Sequence, residues 1–370
     1  VSRLGAGCGV AFCVYGGASA VADDSLWQYG AAIDIAYANA FQSSDEMFWR
    51  SKATNMRLNS FAPNMGMFYL RRLVDENSRW GFELGAQAGY DTDGQVPSEQ
   101  RIPGHSILRY LSRANVSYLA PVGKGLTLTA GLMNSFIGYE SMFAKDNANY
   151  TRAWMADYSP YYLMGAGAQY PLNDSLSVGL YLLSDYDYLA YRNDKPKYGS
   201  QLTWTIDPQW KLTQNLFVGP EQKNTDTRYW RYFSDTILQR SVDDLTLAAA
   251  YDVGTERLDI PEQTQALWMA SAIWARWHVD GPWSVALRPE IYWDGDGRLT
   301  GSRQLIKAVT TTVEYKIPLG SASVALRTEY RFDDSSGKQG GFFRSRDSNA
   351  GLVGDQHLLL FSCLLTFDKQ

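Results

Sequence analysis

The chain has 370 residues, with 34 Lys and Arg against 39 Asp and Glu for a formal charge of −5, and 45% of its residues are apolar. That balance leaves no footprint for nucleic acid, which needs clustered excess Lys and Arg, and three His leave little room for a His-rich metal site. The aromatic content is the unusual quantity, with 24 Tyr, 12 Trp and 15 Phe.

Residues 1–22 open with Val1-Ser2-Arg3, pass through small and apolar Leu4 to Ala18, and close on Ser19-Ala20-Val21-Ala22 before Asp23. A basic start, an apolar middle and a small-residue cleavage site are the parts of an export signal. Its removal would take Cys8 and Cys13, leave Cys363 as a single thiol and make residues 23–370 one domain. Neither Cys8 nor Cys13 follows a lipoprotein box, so no lipid anchor is expected.

After the first twenty or so residues, no run reaches the ~18 apolar positions of a membrane-spanning helix. Period-2 alternation recurs instead, which is the mark of half-buried strands. Predicted strands are 26–41, 55–73, 79–90, 108–120, 125–139, 159–171, 175–188, 198–212, 215–221, 228–240, 243–256, 264–279, 282–294, 304–318, 321–333 and 354–367. Leu202, Trp204, Ile206 and Trp210 oppose Gln201, Thr203, Thr205, Asp207, Gln209 and Lys211, and Leu245, Leu247, Ala249, Tyr251 and Val253 oppose Asp244, Thr246, Asp252 and Gly254. Trp283, Val285, Leu287, Ile291 and Trp293 oppose Arg288, Glu290, Tyr292 and Asp294. Val324, Leu326, Thr328, Tyr330 and Phe332 oppose Arg327, Glu329, Arg331 and Asp333.

The connections alternate between tight and long. The tight set is Asp75-Glu76-Asn77, Val122-Gly123-Lys124, Asn173-Asp174, Thr213-Gln214, Val242-Asp243, Asp280-Gly281 and Leu319-Gly320, mostly ordinary hairpin chemistry. The long set is 42–54, 91–107, 140–158, 189–197, 222–227, 257–263, 295–303 and 334–353. A soluble sandwich has no reason for this regularity. A transmembrane, antiparallel, up-and-down β-barrel of about 16 strands does, with short periplasmic turns on one rim and long extracellular loops on the other. Trp27, Tyr29 and Trp80 at strand starts, and Tyr90, Trp293 and Phe332 near strand ends, fall where aromatic girdles meet the bilayer interfaces.

With the apolar faces toward lipid, the inward set holds Asp34, Glu83, Arg109, Arg113, Asp207, Lys211, Asp252, Arg276, Arg288, Glu290, Glu314, Arg327, Glu329 and Arg331. Such a mixed set needs water or mutual pairing, since a buried unpaired charge is costly. A barrel of this size leaves an aqueous lumen, and charged rings there tune solute preference. Arg109, Arg113, Arg288, Arg327 and Arg331 are therefore expected to set a field across the pore. The connection 140–158 carries Glu140, Lys145, Asp146, Asn149, Tyr150, Arg152 and Asp157 around Trp154 and Met155. A loop going out into water would not need such aromatics, so it is expected to fold inward as the constriction.

The runs Ile137-Gly138-Tyr139-Glu140, Asn149-Tyr150-Thr151-Arg152 and Ser159-Pro160-Tyr161-Tyr162 resemble the putative β-barrel porin-2 family, the OmpL-like outer-membrane proteins. So do Gly219-Pro220-Glu221, Leu287-Arg288-Pro289-Glu290 and the segment Leu326 to Asp333, in order along nearly the whole chain. The resemblance implies an outer-membrane channel of Gram-negative bacteria without catalytic residues or cofactor. Glu140, Arg152, Glu221, Arg288, Glu290, Arg327 and Glu329 are carried over as motif positions expected to line the pore, beside Arg109, Arg113, Asp157, Arg276 and Arg331. Two departures stand out: Val1 in place of an initiator Met, and Asp368-Lys369-Gln370 after the usual terminal aromatic, the signal for the barrel-assembly machinery.

The expected function is passive diffusion of small hydrophilic solutes or ions through a channel embedded in outer-membrane lipid, as a single barrel or a homo-oligomer such as a trimer. A second reading is a barrel that sheathes a partner protein or exports a polymer, although no C-x-x-C-H haem motif is present to carry electrons. An outer-membrane hydrolase is the third. His105, His278 and His357 are scattered and neither G-x-S-x-G nor H-E-x-x-H occurs.

Overall fold

The computed structural model describes residues 26–41, 48–55, 57–96, 102–223, 225–337, 342–344 and 352–369. The predicted signal segment, with Cys8 and Cys13, lies outside them. The chain forms β1 (Trp27–Ala40), β2 (Phe61–Arg72), β3 (Trp80–Ala88), β4 (Leu111–Ala120), β5 (Leu126–Asn134), β6 (Tyr162–Pro171), β7 (Leu176–Leu183), β8 (Lys197–Thr205) and β9 (Trp210–Pro220). It continues with β10 (Trp230–Val242), β11 (Leu245–Arg257), β12 (Gln265–Asp280), β13 (Trp283–Asp294), β14 (Gln304–Leu319), β15 (Ala322–Ser335), the two-residue β16 (Phe343–Arg344) and β17 (Leu352–Val353), and β18 (Asp355–Lys369). Each long strand pairs antiparallel with its neighbour in sequence. β18 then joins β15 to β1, with Leu326 opposite Cys363 and Cys363 opposite Ile35, which closes a barrel of sixteen strands. β16 and β17 pair with each other between β15 and β18.

Closure removes the free edges of the sixteen barrel strands, and alternation then sends one face of each strand in and the other out. Ile33, Phe68, Leu84, Val116, Leu180, Ile273, Ile291 and Phe361 point outward and are half exposed or more, while Arg288, Glu290, Glu329, Arg331 and Asp333 point inward and are buried. Trp27 and Trp80 are exposed at the short-turn rim and Trp293 at the other. Tyr90 departs from the expected girdle: it lies beyond β3, with the Arg57 guanidinium over its ring.

Six of the seven tight connections fall where the sequence puts them. The fourth does not. Thr213 and Gln214 lie inside β9, and the chain turns at residues 206–209, where the Asp207 carboxylate accepts the backbone N–H groups of Gln209 (2.8 Å) and Trp210 (3.0 Å). Asp207 and Ile206 are therefore turn residues and not members of the two strand faces. Strand starts and ends also retreat beside the long loops, which hold the helical turns α1 (Asp91–Gly94), α2 (His105–Leu108) and α3 (Trp154–Asp157). The inner wall that meets α3 is built of small side chains. Ala250, Ala270, Ala272 and Ala308 are all buried in one cluster with Trp154 and Tyr158, and α3 packs on β12 and β13. At Gly254 a Cβ would stand 2.1 Å from the Trp268 indole, so glycine there makes the room that Trp268 fills.

Candidate functional site

The connection 135–161 between β5 and β6 enters the barrel. Gly138, at φ +89°, turns the chain inward, and its N–H donates to Asp235 Oδ2 on β10 at 2.7 Å. An irregular segment brought inside must find partners for its backbone N–H and C=O groups, and the charged wall supplies them. Glu329 accepts the N–H of Tyr150 (2.6 Å) and of Thr151 (3.0 Å), and Glu290 accepts that of Trp154 (2.6 Å). In the opposite sense, Arg331 donates to the Arg152 carbonyl (2.9 Å), Arg327 to that of Ala144 (2.9 Å) and Arg288 to that of Thr151.

Side chains of the loop complete the lock. Glu140 accepts from Arg288 (2.7 Å), from the Trp274 indole (2.9 Å) and from the Ala153 N–H (2.6 Å). Tyr150 donates to Asp34 at 2.6 Å and Trp154 to Asp333 at 2.8 Å. Arg152 is fully buried, donating to the Met142 and Tyr150 carbonyls and to Asn55, with the Asp91 carboxylate 3.6 Å away. Burial pushes Asp91 up to about 7 even with Arg152 beside it.

A second segment joins from residues 48–55. Lys52 pairs with Asp157, donates to the Arg152 carbonyl at 2.8 Å and lies over the rings of Trp49 and Trp154. Burial lowers its pKa. Phe342 and Phe343 close on Trp154 from the last long loop. The long-loop half of the barrel is thus packed with side chains.

The expected site residues divide accordingly. Arg152, Arg288, Glu290, Arg327, Glu329, Arg331 and Asp157 come together, but as a buried network that seats the loop, not as charges facing water. Arg113 is buried on β4, under the Tyr69 ring and donating to Asn134. Arg109 is a correction: it precedes β4 and pairs with Asp93 inside the loop 89–110. Glu221 lies just past β9 beside Arg192 (3.1 Å), and burial lifts it to about 7. Arg276 meets Glu314 at 2.9 Å, and Arg327 meets the other oxygen of the same carboxylate at 2.7 Å.

Open space lies on the other side of the loop. A cavity of about 710 Å3 is bounded by residues 134–143 and 146–148, by Gln201 and Thr203 on β8, Lys211 and Thr213 on β9, and Gln239 on β10. Its opposite wall carries Arg276, His278, Ser284, Glu314 and Lys316, and it reaches the short-turn rim at Asp243 and Asp244. Lys211 belongs to the inward set read from sequence, yet neither it nor Thr213 and Gln239 is singled out there. A lone lysine among neutral polar residues on one strand face is the signal that could have found it.

A model of the family described as putative beta-barrel porin-2, OmpL-like, matches residues 28–367. No curated protein sequence matches. Among solved structures, the anion-selective porin from Comamonas acidovorans superposes with a TM-score of 0.60 at 14% identity, over 92% of this chain and 99% of that one. OmpF of Salmonella typhi in complex with daunomycin gives 0.58 at 11%, over 93% and 97%. The outer-membrane channel DcaP of Acinetobacter baumannii gives 0.57 at 9%, over 92% and 96%. At these identities the likeness is one of fold.

Proposed function

The chain belongs to the putative beta-barrel porin-2, OmpL-like family, and from that premise we propose that it is a porin through which small hydrophilic solutes or ions diffuse passively. The observation that carries this reading is the cavity of about 710 Å3 inside a closed barrel, whose strand wall is mostly polar: Gln201, Thr203, Lys211, Thr213, Gln239, Arg276, Ser284, Glu314 and Lys316 line it beside Ile237 and Trp274. Polar groups that line water need no apolar filling, and a barrel of sixteen strands is wide enough to hold both an inserted loop and a solvated path. The short turns then face the periplasm, the exposed apolar belt faces lipid, and residues 1–22 direct export. The loop 135–161 narrows the path and fixes its width, because its backbone is tied to β10, β13 and β15. A lumen occupied by the chain's own loop leaves little space for a partner protein, which favours diffusion over the sheath.

Single-channel conductance of the full chain in a planar bilayer tests the reading. Stable ohmic steps are expected. A chain that is folded, with β-type circular dichroism and heat-modifiable gel mobility, but that carries no current sinks it.

A further inference from the structure

Most charges inside the barrel have a counter-charge at contact distance. Arg288 holds Glu140, Arg331 holds Asp333 and Glu290, and Arg276 and Arg327 share Glu314. Lys211 differs. It is half-buried in the cavity wall and makes no hydrogen bond, ion pair or ring contact with any described residue. Its neighbours on the inner face are neutral: Gln239 is directly across on β10, Thr213 is two residues along β9, and Thr203 is opposite Thr213 on β8. The side chains of these three also lack hydrogen-bond partners among the described residues and border the same cavity.

We propose that Lys211, with Gln239, Thr203 and Thr213, forms a subsite for a small oxyanion, a carboxylate or a phosphate, on the wall of the cavity. The proposal rests on the porin reading and names the class of solute that its lumen favours. An ammonium partly withdrawn from water is short of solvation, and an anion supplies both the counter-charge and an acceptor for charge-assisted hydrogen bonds. Hydroxyl and amide neighbours add donors without adding charge. The acids of the cavity do not cancel Lys211: Glu140 is held by Arg288, Asp146 by Lys145 and Glu314 by two guanidiniums. Asp243 and Asp244 stand exposed on the rim turn, where salt screens them beyond roughly 8 Å.

The test uses the full chain and the variants Lys211→Gln, Lys211→Glu and Lys211→Arg. Reversal potential is taken under a potassium chloride gradient, block of the current is measured with inorganic phosphate and with acetate separately, and phosphate binding is followed by calorimetry in detergent. The unsubstituted chain is expected to prefer anions. Lys211→Gln should cut that preference and weaken phosphate block and binding about tenfold, the loss of one charge-assisted hydrogen bond. Lys211→Glu should invert the preference, Lys211→Arg should preserve it, and Lys124→Gln on an exposed turn should change nothing. Stronger block by phosphate supports the subsite for phosphate-bearing solutes, and stronger block by acetate supports it for carboxylates. A conducting chain whose reversal potential and block ignore Lys211→Gln overturns the subsite and leaves the porin reading standing. A folded chain that is silent but binds phosphate through Lys211 keeps the subsite and overturns the porin reading. Absence of both current and binding overturns both.

Discussion

Two arcs of the same barrel have polar inner faces, and they do opposite work. On β13, β14 and β15 the inward charges include Arg288, Glu290, Glu314, Arg327, Glu329, Arg331 and Asp333, all buried and each bonded to a counter-charge or to the inserted loop, with Glu314 alone of the seven also bordering the cavity. On β8, β9 and β10 they include Gln201, Thr203, Lys211, Thr213 and Gln239, which border open space. The number of charges in an arc does not tell how wet it is. A loop without regular secondary structure needs strong donors and acceptors beside it, so the densely charged arc is where the interior is driest.

The largest break in this comparison comes from Arg288→Met. It strips Glu140 of its guanidinium and takes a donor from the Thr151 carbonyl, leaving the buried Glu140 carboxylate without a counter-charge at contact distance. Removing one partner of such a buried pair costs about 3–5 kcal/mol. The denaturant midpoint of the folded chain should fall accordingly, and single-channel records should become larger and noisier as the loop loses its seat. Lys211→Met on the wet arc should leave the midpoint within about 0.5 kcal/mol. Equal losses from the two substitutions would dissolve the distinction.

Acidity probes the same network. Asp91 accepts the Asn55 N–H at 2.8 Å and is held up to about 7 by burial; Glu221, from an ordinary value of 4.5, is raised to about 7 by the same cause. The folded chain therefore binds these protons more tightly than the unfolded one. Stability they contribute is complete below the unfolded values, declines as pH rises toward about 7 and is flat above it. Denaturant midpoints from pH 5 to pH 8 should fall, and Asp91→Asn should flatten the slope. An unaltered slope would remove Asp91 as a source.

Faces and closure were readable from the residues because period-2 alternation depends on one strand at a time. Leu326, Tyr330, Arg327 and Arg331 fall on the sides assigned to them for that reason alone. The turn at 206–209 is masked in the sequence although Asp207-Pro208 is a turn signal, since the alternation of Leu202, Trp204 and Ile206 runs on to Trp210 as if no turn intervened. Pairing could not be read at all. Whether Arg331 faces water or Glu290 depends on the register of three strands and on a loop more than 150 residues away in sequence, as the Tyr150 to Glu329 bond illustrates.

A smaller effect isolates how the loop enters the barrel. Gly138 has φ +89° and an added Cβ would stand 3.3 Å from Ser159 Oγ. Gly138→Ala forces a side chain into a left-handed conformation, at about 1–2 kcal/mol. The midpoint should drop by that amount, with the Gly138 N–H to Asp235 bond lengthened and more frequent current flicker. Silence in both records would mean that the entrance of the loop is fixed by Glu140 and Tyr150 and not by this turn.

The smallest expected effect is the sharpest control. Arg109 counts among the inward charges by sequence, but it sits in the loop 89–110, paired with Asp93 and with both side chains partly in solvent. An exposed pair of this kind contributes about 0–1 kcal/mol, and a charge outside the cavity acts on a permeating ion only through screened water. Arg109→Glu should therefore leave the reversal potential where it is and barely move the midpoint. The same inversion at Lys211 should reverse selectivity. If Arg109→Glu shifts the reversal potential as strongly, position along the path matters more than pairing, and the long-loop rim rather than the wet arc sets which ions pass.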